Sequence, residues 1–134
     1  MTIVVTGAAG FIGSHVVKSL LEREERVIGI DNINDYYSKK LKMDRLKKLS
    51  TYKNFIFKKL ELSDKGSLEL SLKGVKIKSF CHLAAQAGVR YSLENPRAYV
   101  LSNINAFLEV LELCRNQNIS KLVYASSSSV YGGN

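Results

Sequence analysis

Proline is nearly absent from this 134-residue chain, with 1 residue, while 9 glycines and a 46% share of hydrophobic residues accompany it. That scarcity excludes a collagen-like fibre or a proline-rich disordered segment and leaves one compact domain of 15.0 kDa. A chain of this length buries roughly two thirds of its unfolded surface, enough for one core and not for two. Cysteine is also scarce: Cys81 and Cys114 stand alone, with no C-x-x-C pair and no histidine at ligand spacing. A disulfide scaffold and a metal site are therefore not expected, and two reduced thiols point to a cytoplasmic protein. Long hydrophobic runs are missing as well. Ile3–Val5 and Phe80–Ala85 fall far short of the roughly 20 residues that span a bilayer, so no membrane association is expected. Met1 leads straight into a strand-like run and Gly7, without the basic and apolar stretches of a secretory leader.

Charge is present in excess of one sign. Lys and Arg number 20 against 12 Asp and Glu, a formal net charge of +8. Nine of the basic residues lie between positions 39 and 59, where Asp44 is the lone acid, so the excess belongs to one segment. Leu41, Leu46 and Leu49 recur inside it at helical spacing, which suits a surface helix with a narrow buried stripe and a solvated basic face. No nucleic-acid motif or aromatic platform accompanies the charge, so no nucleic-acid partner is expected.

Along the chain, strand and helix patterns alternate. Thr2–Thr6 is a β-branched run, the segment 11–24 carries apolar residues at Ile12, Val16 and Leu20, and 26–31 is apolar again. A basic helix over 37–49, strands at 55–59, 77–83 and 121–125, and a short helix around 68–72 follow. Asn95 and Pro96 open a long helix to about Cys114, since proline at the first helical position loses no needed donor. On it Leu101, Ile104, Leu108 and Leu111 form one apolar stripe and Val100, Phe107, Val110 and Cys114 another, one to cover the sheet and one free for a partner. Such alternation predicts an α/β Rossmann-type parallel sheet of order 3-2-1-4-5 with helices on both faces.

The sharpest chemical signal is Thr6-Gly7-Ala8-Ala9-Gly10-Phe11-Ile12-Gly13, where a strand passes into a helix. Gly7 permits the tight turn, Gly10 lets backbone approach a pyrophosphate at the positive helix end, and Gly13 lets the helix pack on the sheet. Asp31, at the end of the second strand, can accept hydrogen bonds from an adenosine ribose and would repel a 2′-phosphate, so NAD is favoured over NADP.

The G-x-x-G-x-x-G spacing is similar to that of the extended short-chain dehydrogenase/reductase family. The stretches 31–37 (DNINDYY), 82–92 (HLAAQAGVRYS) and 122–132 (LVYASSSSVYG) resemble its NAD-dependent sugar-nucleotide epimerases, and within them the UDP-glucuronate 4-epimerase branch. The resemblance implies that the backbone amides of Phe11 and Ile12 meet the pyrophosphate and that Asp31 and Asn32 meet the adenosine ribose. Glu61, with Leu62, stands where the family has Asp near the adenine. Leu83, Ala84, Ala85 and Gln86 would pack against the cofactor, as would either Ser102 or Asn103. Ser127 matches the catalytic Ser or Thr that hydrogen-bonds the reacting sugar hydroxyl, with Ser126 and Ser128 beside it, and Arg90 could face the substrate's oxyanions. His82, on a core strand, is expected to be a buried, hydrogen-bonded histidine instead of a catalyst.

The family's proton transfer relies on a Tyr-x-x-x-Lys pair after the fifth strand, and the 134 residues end before that helix. Tyr36 and Lys40 have the same spacing but follow the second strand, at the adenosine end. The resemblance therefore implies an NAD-binding part, residues 1–134, of an enzyme acting on a UDP-sugar. On that resemblance the substrate-binding portion is expected to lie outside these residues and the polypeptide alone to be inactive. Family members dimerise through the helix here at 96–114, which implies a homodimer. A non-catalytic NAD-binding or interaction module, or part of an epimerase, dehydratase or decarboxylase for another nucleotide sugar, is the alternative.

Overall fold

A computed structural model describes residues 1–133. Five parallel strands form one sheet of order β3-β2-β1-β4-β5: β1 (Thr2–Thr6), β2 (Val27–Asp31), β3 (Phe55–Lys59), β4 (Ile77–His82) and β5 (Leu122–Tyr124). The expected order holds. The crossovers are α1 (Phe11–Glu22), α2 (Lys39–Leu49), α3 (Ser67–Ser71) and a helical stretch from Pro96 to Asn116.

β1 is buried along its whole length, as a central parallel strand covered on both faces must be. On one face Val4, Ile28, Ile30 and Phe80 pack with Leu68, Val110 and Leu113. On the other, Ile3, Val5 and Val27 pack with Val17, Leu21, Leu46 and Leu49. Full burial of each such aliphatic side chain is worth about 1.5–3 kcal/mol.

Three local features depart from the sequence reading. α1 buries Gly13, Ser14, Val17 and Leu21, one position on from the expected Ile12, Val16 and Leu20, because the smallest side chains sit where helix and sheet approach most closely. Ile12, at 64% exposure, stands at the rim of a cleft. In α2, Leu41 is exposed while Lys42 is buried at 4% exposure. The long helix is interrupted: α5 (Pro96–Tyr99) passes into a π-helical segment over Val100–Asn105 before α6 (Ala106–Asn116). A further helix, α4 (Val89–Glu94), and a 3₁₀ turn at Ser128–Tyr131 complete the chain. Among the described residues no helix is long and apolar enough to cross a membrane.

Candidate functional site

The carboxyl ends of β1, β2 and β4 open onto a cleft of about 360 Å³. Its floor is the β1–α1 turn. Gly7 has φ +70°, and a Cβ there would stand 2.9 Å from the backbone of Leu83 and Ala84. A Cβ on Gly13 would overlap the Gly7 carbonyl, so side chains are barred from both positions by backbone. At Gly10 an added Cβ would meet the Gly7 oxygen at 3.1 Å and otherwise project into open space at the start of α1. No side chain caps α1 and no acid lies in its first turn. The free amides of Phe11 and Ile12 are thus left with the positive end of the helix dipole, an arrangement suited to a phosphate.

Asp31 organises the β2 side. Its Oδ2 accepts from Ala9 N at 3.0 Å and its Oδ1 from Ile33 N at 2.8 Å, tying the glycine turn to its own loop. Each carboxylate oxygen retains a lone pair for a hydroxyl donor. Asn32 donates its amide to Glu61 Oε2 at 2.8 Å, and Glu61 Oε1 accepts from Ser63 Oγ at 2.8 Å. Asn32, Glu61 and Leu62 all line the cleft, and Leu62 is also part of the core.

Lys42, Asn34, Tyr36 and Tyr37 also line it, and the sequence reading passed over them as site residues. Lys42 Nζ donates to Asn34 O at 2.9 Å and Oδ1 at 2.7 Å and sits 4.5 Å from the Tyr37 ring centroid. Burial lowers its pKa below the usual lysine value, and the negative charge of Asp31 opposes that. Arg45 donates to Ala9 O at 3.0 Å and to Tyr37 Oη at 2.8 Å, so α2 braces the glycine turn from outside. The signal was the pair Tyr36 and Tyr37, placed just before the basic run that starts at Lys39.

The β4 side is a wall made by Leu83, Ala84, Ala85 and Gln86, all of which line the cleft. Thr6 Oγ1 accepts from the amides of Leu83 at 3.0 Å and Ala84 at 3.1 Å. Of the two candidates on the long helix, Ser102 lines the cleft, whereas the Asn103 side chain is bonded to the backbone of Gln86. His82 is buried and bonded to Thr6 Oγ1 at 2.7 Å, and burial lowers its pKa to about 4. The thiols of Cys81 and Cys114 are free, and burial raises both pKa values.

The serines and the arginine lie away from this centre. Ala125 lines the cleft, and Ser126, Ser127 and Ser128 follow it, exposed. Ser127 Oγ accepts from Ser129 N at 3.1 Å. Arg90 is exposed on α4.

Against known proteins, the family model for GDP-mannose 4,6 dehydratase matches residues 4–134. The chain is 52% identical over its whole length to Protein CapI of Staphylococcus aureus, of which it spans 40%. It is 50% identical to UDP-glucuronate 4-epimerase 4 of Arabidopsis thaliana, of which it spans 31%. It superposes with a TM-score of 0.89 and 36% identity on the UDP-glucuronic acid 4-epimerase of Bacillus cereus, solved with UDP-glucuronic acid and NAD. All of this chain and 42% of that one are covered. With the glycine turn, Asp31 and the parallel sheet in place, the chain belongs to the GDP-mannose 4,6 dehydratase family of sugar-nucleotide epimerases and dehydratases.

Proposed function

We propose that residues 1–134 are the NAD-binding part of a UDP-glucuronate 4-epimerase. The observation that carries this is the convergence of an uncapped helix start, the Asp31 carboxylate and the Leu83–Gln86 wall on one cleft. The open space beside Gly10 fits a pyrophosphate. Phe11 and Ile12 would donate their amides to it, Asp31 and Asn32 would hold the adenosine ribose, and Glu61 and Leu62 would border the adenine. Leu83, Ala84, Ala85, Gln86 and Ser102 would flank the rest of the dinucleotide. When bound, NAD supplies reversible hydride acceptance, which lets C4 of a UDP-sugar be oxidised and reduced again on the opposite face.

This chain's part in that cycle is to hold and orient. Ser127, just past the open end of β5, would hydrogen-bond the reacting hydroxyl, with Ser126 and Ser128 beside it. Arg90 would pair with a carboxylate or phosphate of the substrate. Residues 1–134 are therefore expected to bind NAD, and the protein that contains them to epimerise a UDP-sugar. Titration calorimetry with NAD and NADP tests the first half. The second is read by incubating the native protein with UDP-glucuronate and following UDP-galacturonate: absence of product from a protein that binds NAD would shift the assignment to another nucleotide sugar.

A second reading rests on the helix surface. Leu101, Ile104, Leu108 and Leu111 are 46%, 63%, 57% and 43% exposed on one stripe while Val110 and Cys114 are buried on the other, where Val100, contrary to expectation, is 47% exposed. We assign the exposed stripe to a homodimer contact. The same surface would serve a non-catalytic NAD-binding or interaction module, which product formation by the native protein separates from the first reading. Free, reduced Cys81 and Cys114 fit a cytoplasmic setting.

A further inference from the structure

The wall on the β4 side of the cleft is a loop without regular structure from Leu83 to Gly88, and its shape has to be imposed from outside. Asn103 does this at Gln86. Its Oδ1 accepts from Gln86 N at 2.8 Å and its Nδ2 donates to Gln86 O at 3.1 Å. A single amide side chain thus satisfies both backbone groups of one residue, and just one orientation of that amide allows it. Gln86 is 7% exposed, so losing the partner would orphan two backbone groups away from solvent.

Tyr99, four residues earlier and therefore on the same helix face, donates from Oη to Ala87 O at 2.7 Å and also meets the Gly88 carbonyl. The two side chains hold three consecutive loop residues. Asn103 lies in the π-helical segment Val100–Asn105, a winding that occurs mostly as a single wide turn inside an α-helix and is frequent at functional sites. There the adjacent residues divide the work: Ser102 lines the cleft while Asn103 is engaged with the loop.

We propose that Asn103 is a positioning residue for dinucleotide binding, acting through Gln86 on the Leu83–Gly88 wall instead of touching the cofactor. Tyr99 is its auxiliary. The inference rests on the reading of the cleft as the NAD site.

The test combines amide hydrogen exchange in the ligand-free chain with NAD titration, for Asn103→Ala, Tyr99→Phe and the double variant. In Asn103→Ala, Gln86 N–H is expected to exchange about tenfold faster while the β1 amides keep their protection, and NAD is expected to bind about tenfold more weakly. Tyr99→Phe, which deletes one exposed hydroxyl and keeps the fold, should shift NAD affinity the same way to a smaller extent. The double variant should lose less than the sum, because both side chains hold one loop. Unchanged NAD affinity beside accelerated Gln86 exchange overturns the proposal. So does weaker NAD binding with Gln86 still protected, which would mean direct contact, and so does faster exchange throughout β1, which would mean general loosening. A wild-type chain that binds no NAD overturns the reading of the cleft itself, and the Gln86 exchange rate then still reports whether the clamp exists.

Discussion

Thr6 Oγ1 lies 2.7 Å from His82 Nδ1, joining the carboxyl ends of two neighbouring strands. The same oxygen accepts from the amides of Leu83 and Ala84, so both its lone pairs are used and its hydroxyl hydrogen must go to the histidine. Nδ1 is therefore the acceptor, and the imidazole is neutral with its hydrogen on Nε2. Replacing Thr6 with valine keeps the shape and removes all three bonds. A loss of about 2–4 kcal/mol is expected in urea denaturation, since two amides lose their acceptor. NAD affinity should fall with it, as those amides set the cleft wall. A change below about 0.5 kcal/mol would show that water replaces the hydroxyl without cost.

The same pair sets a pH dependence. His82 has its pKa lowered by burial from 6.5 to about 4, so between these values the unfolded chain binds a proton that the folded chain does not. Its contribution is fully present above pH 6.5 and is lost as pH falls toward 4, a span of about 3 kcal/mol. Denaturation midpoints at pH 7 and pH 5 should separate in the wild type, and His82→Gln should reduce that separation. An equal separation in the variant would place the titrating group elsewhere.

The strand order and the glycine turn were legible because each rests on a local pattern: apolar runs for buried parallel strands, and three glycines where backbone meets backbone. Helix phase was less so. In α1 the apolar spacing pointed to Ile12, Val16 and Leu20, whereas closest approach to the sheet selected Gly13 and Ser14, whose small size a hydrophobicity pattern overlooks. Lys42 was hidden in a basic run read as a solvated face. Its burial depends on Asn34 and Tyr37, partners contributed by the loop before the helix. That Ser102 lines the cleft while Asn103 bonds the Gln86 backbone is a feature of a π-helical segment, whose winding no residue spacing announces.

Gly10 marks the point where backbone must leave room. In Gly10→Val the side chain would fill the space at the start of α1, where the amides of Phe11 and Ile12 are free. NAD binding should drop below detection while the melting temperature stays within a few degrees, since φ −74° at this position suits any residue. A folded variant that binds NAD normally would remove the pyrophosphate from this end of the helix.

The exposed stripe on the long helix makes a prediction about association. Ile104 and Leu108, one helical turn apart, are 63% and 57% exposed, so charges placed there disturb no core contact. The double variant Ile104→Glu, Leu108→Lys should convert a dimer into a monomer in light scattering, with NAD affinity kept within about twofold. A wild-type chain that is already monomeric at high concentration would remove the dimer assignment.

Asp31 carries two duties that one substitution separates. Asp31→Asn keeps an acceptor for Ala9 N or Ile33 N and removes the charge, whereas Asp31→Ala removes both. Loss of charge takes away the repulsion of a 2′-phosphate and leaves Lys42 and Arg45 nearby on α2 as cations. Both variants should therefore bind NAD about tenfold or more weakly and narrow the preference for NAD over NADP. Asp31→Ala should in addition loosen the glycine turn and lower stability by about 1–3 kcal/mol. Parallel titrations with the two cofactors decide it: an unchanged preference in Asp31→Asn would mean that the carboxylate's charge does not set cofactor choice, whatever it does for the turn.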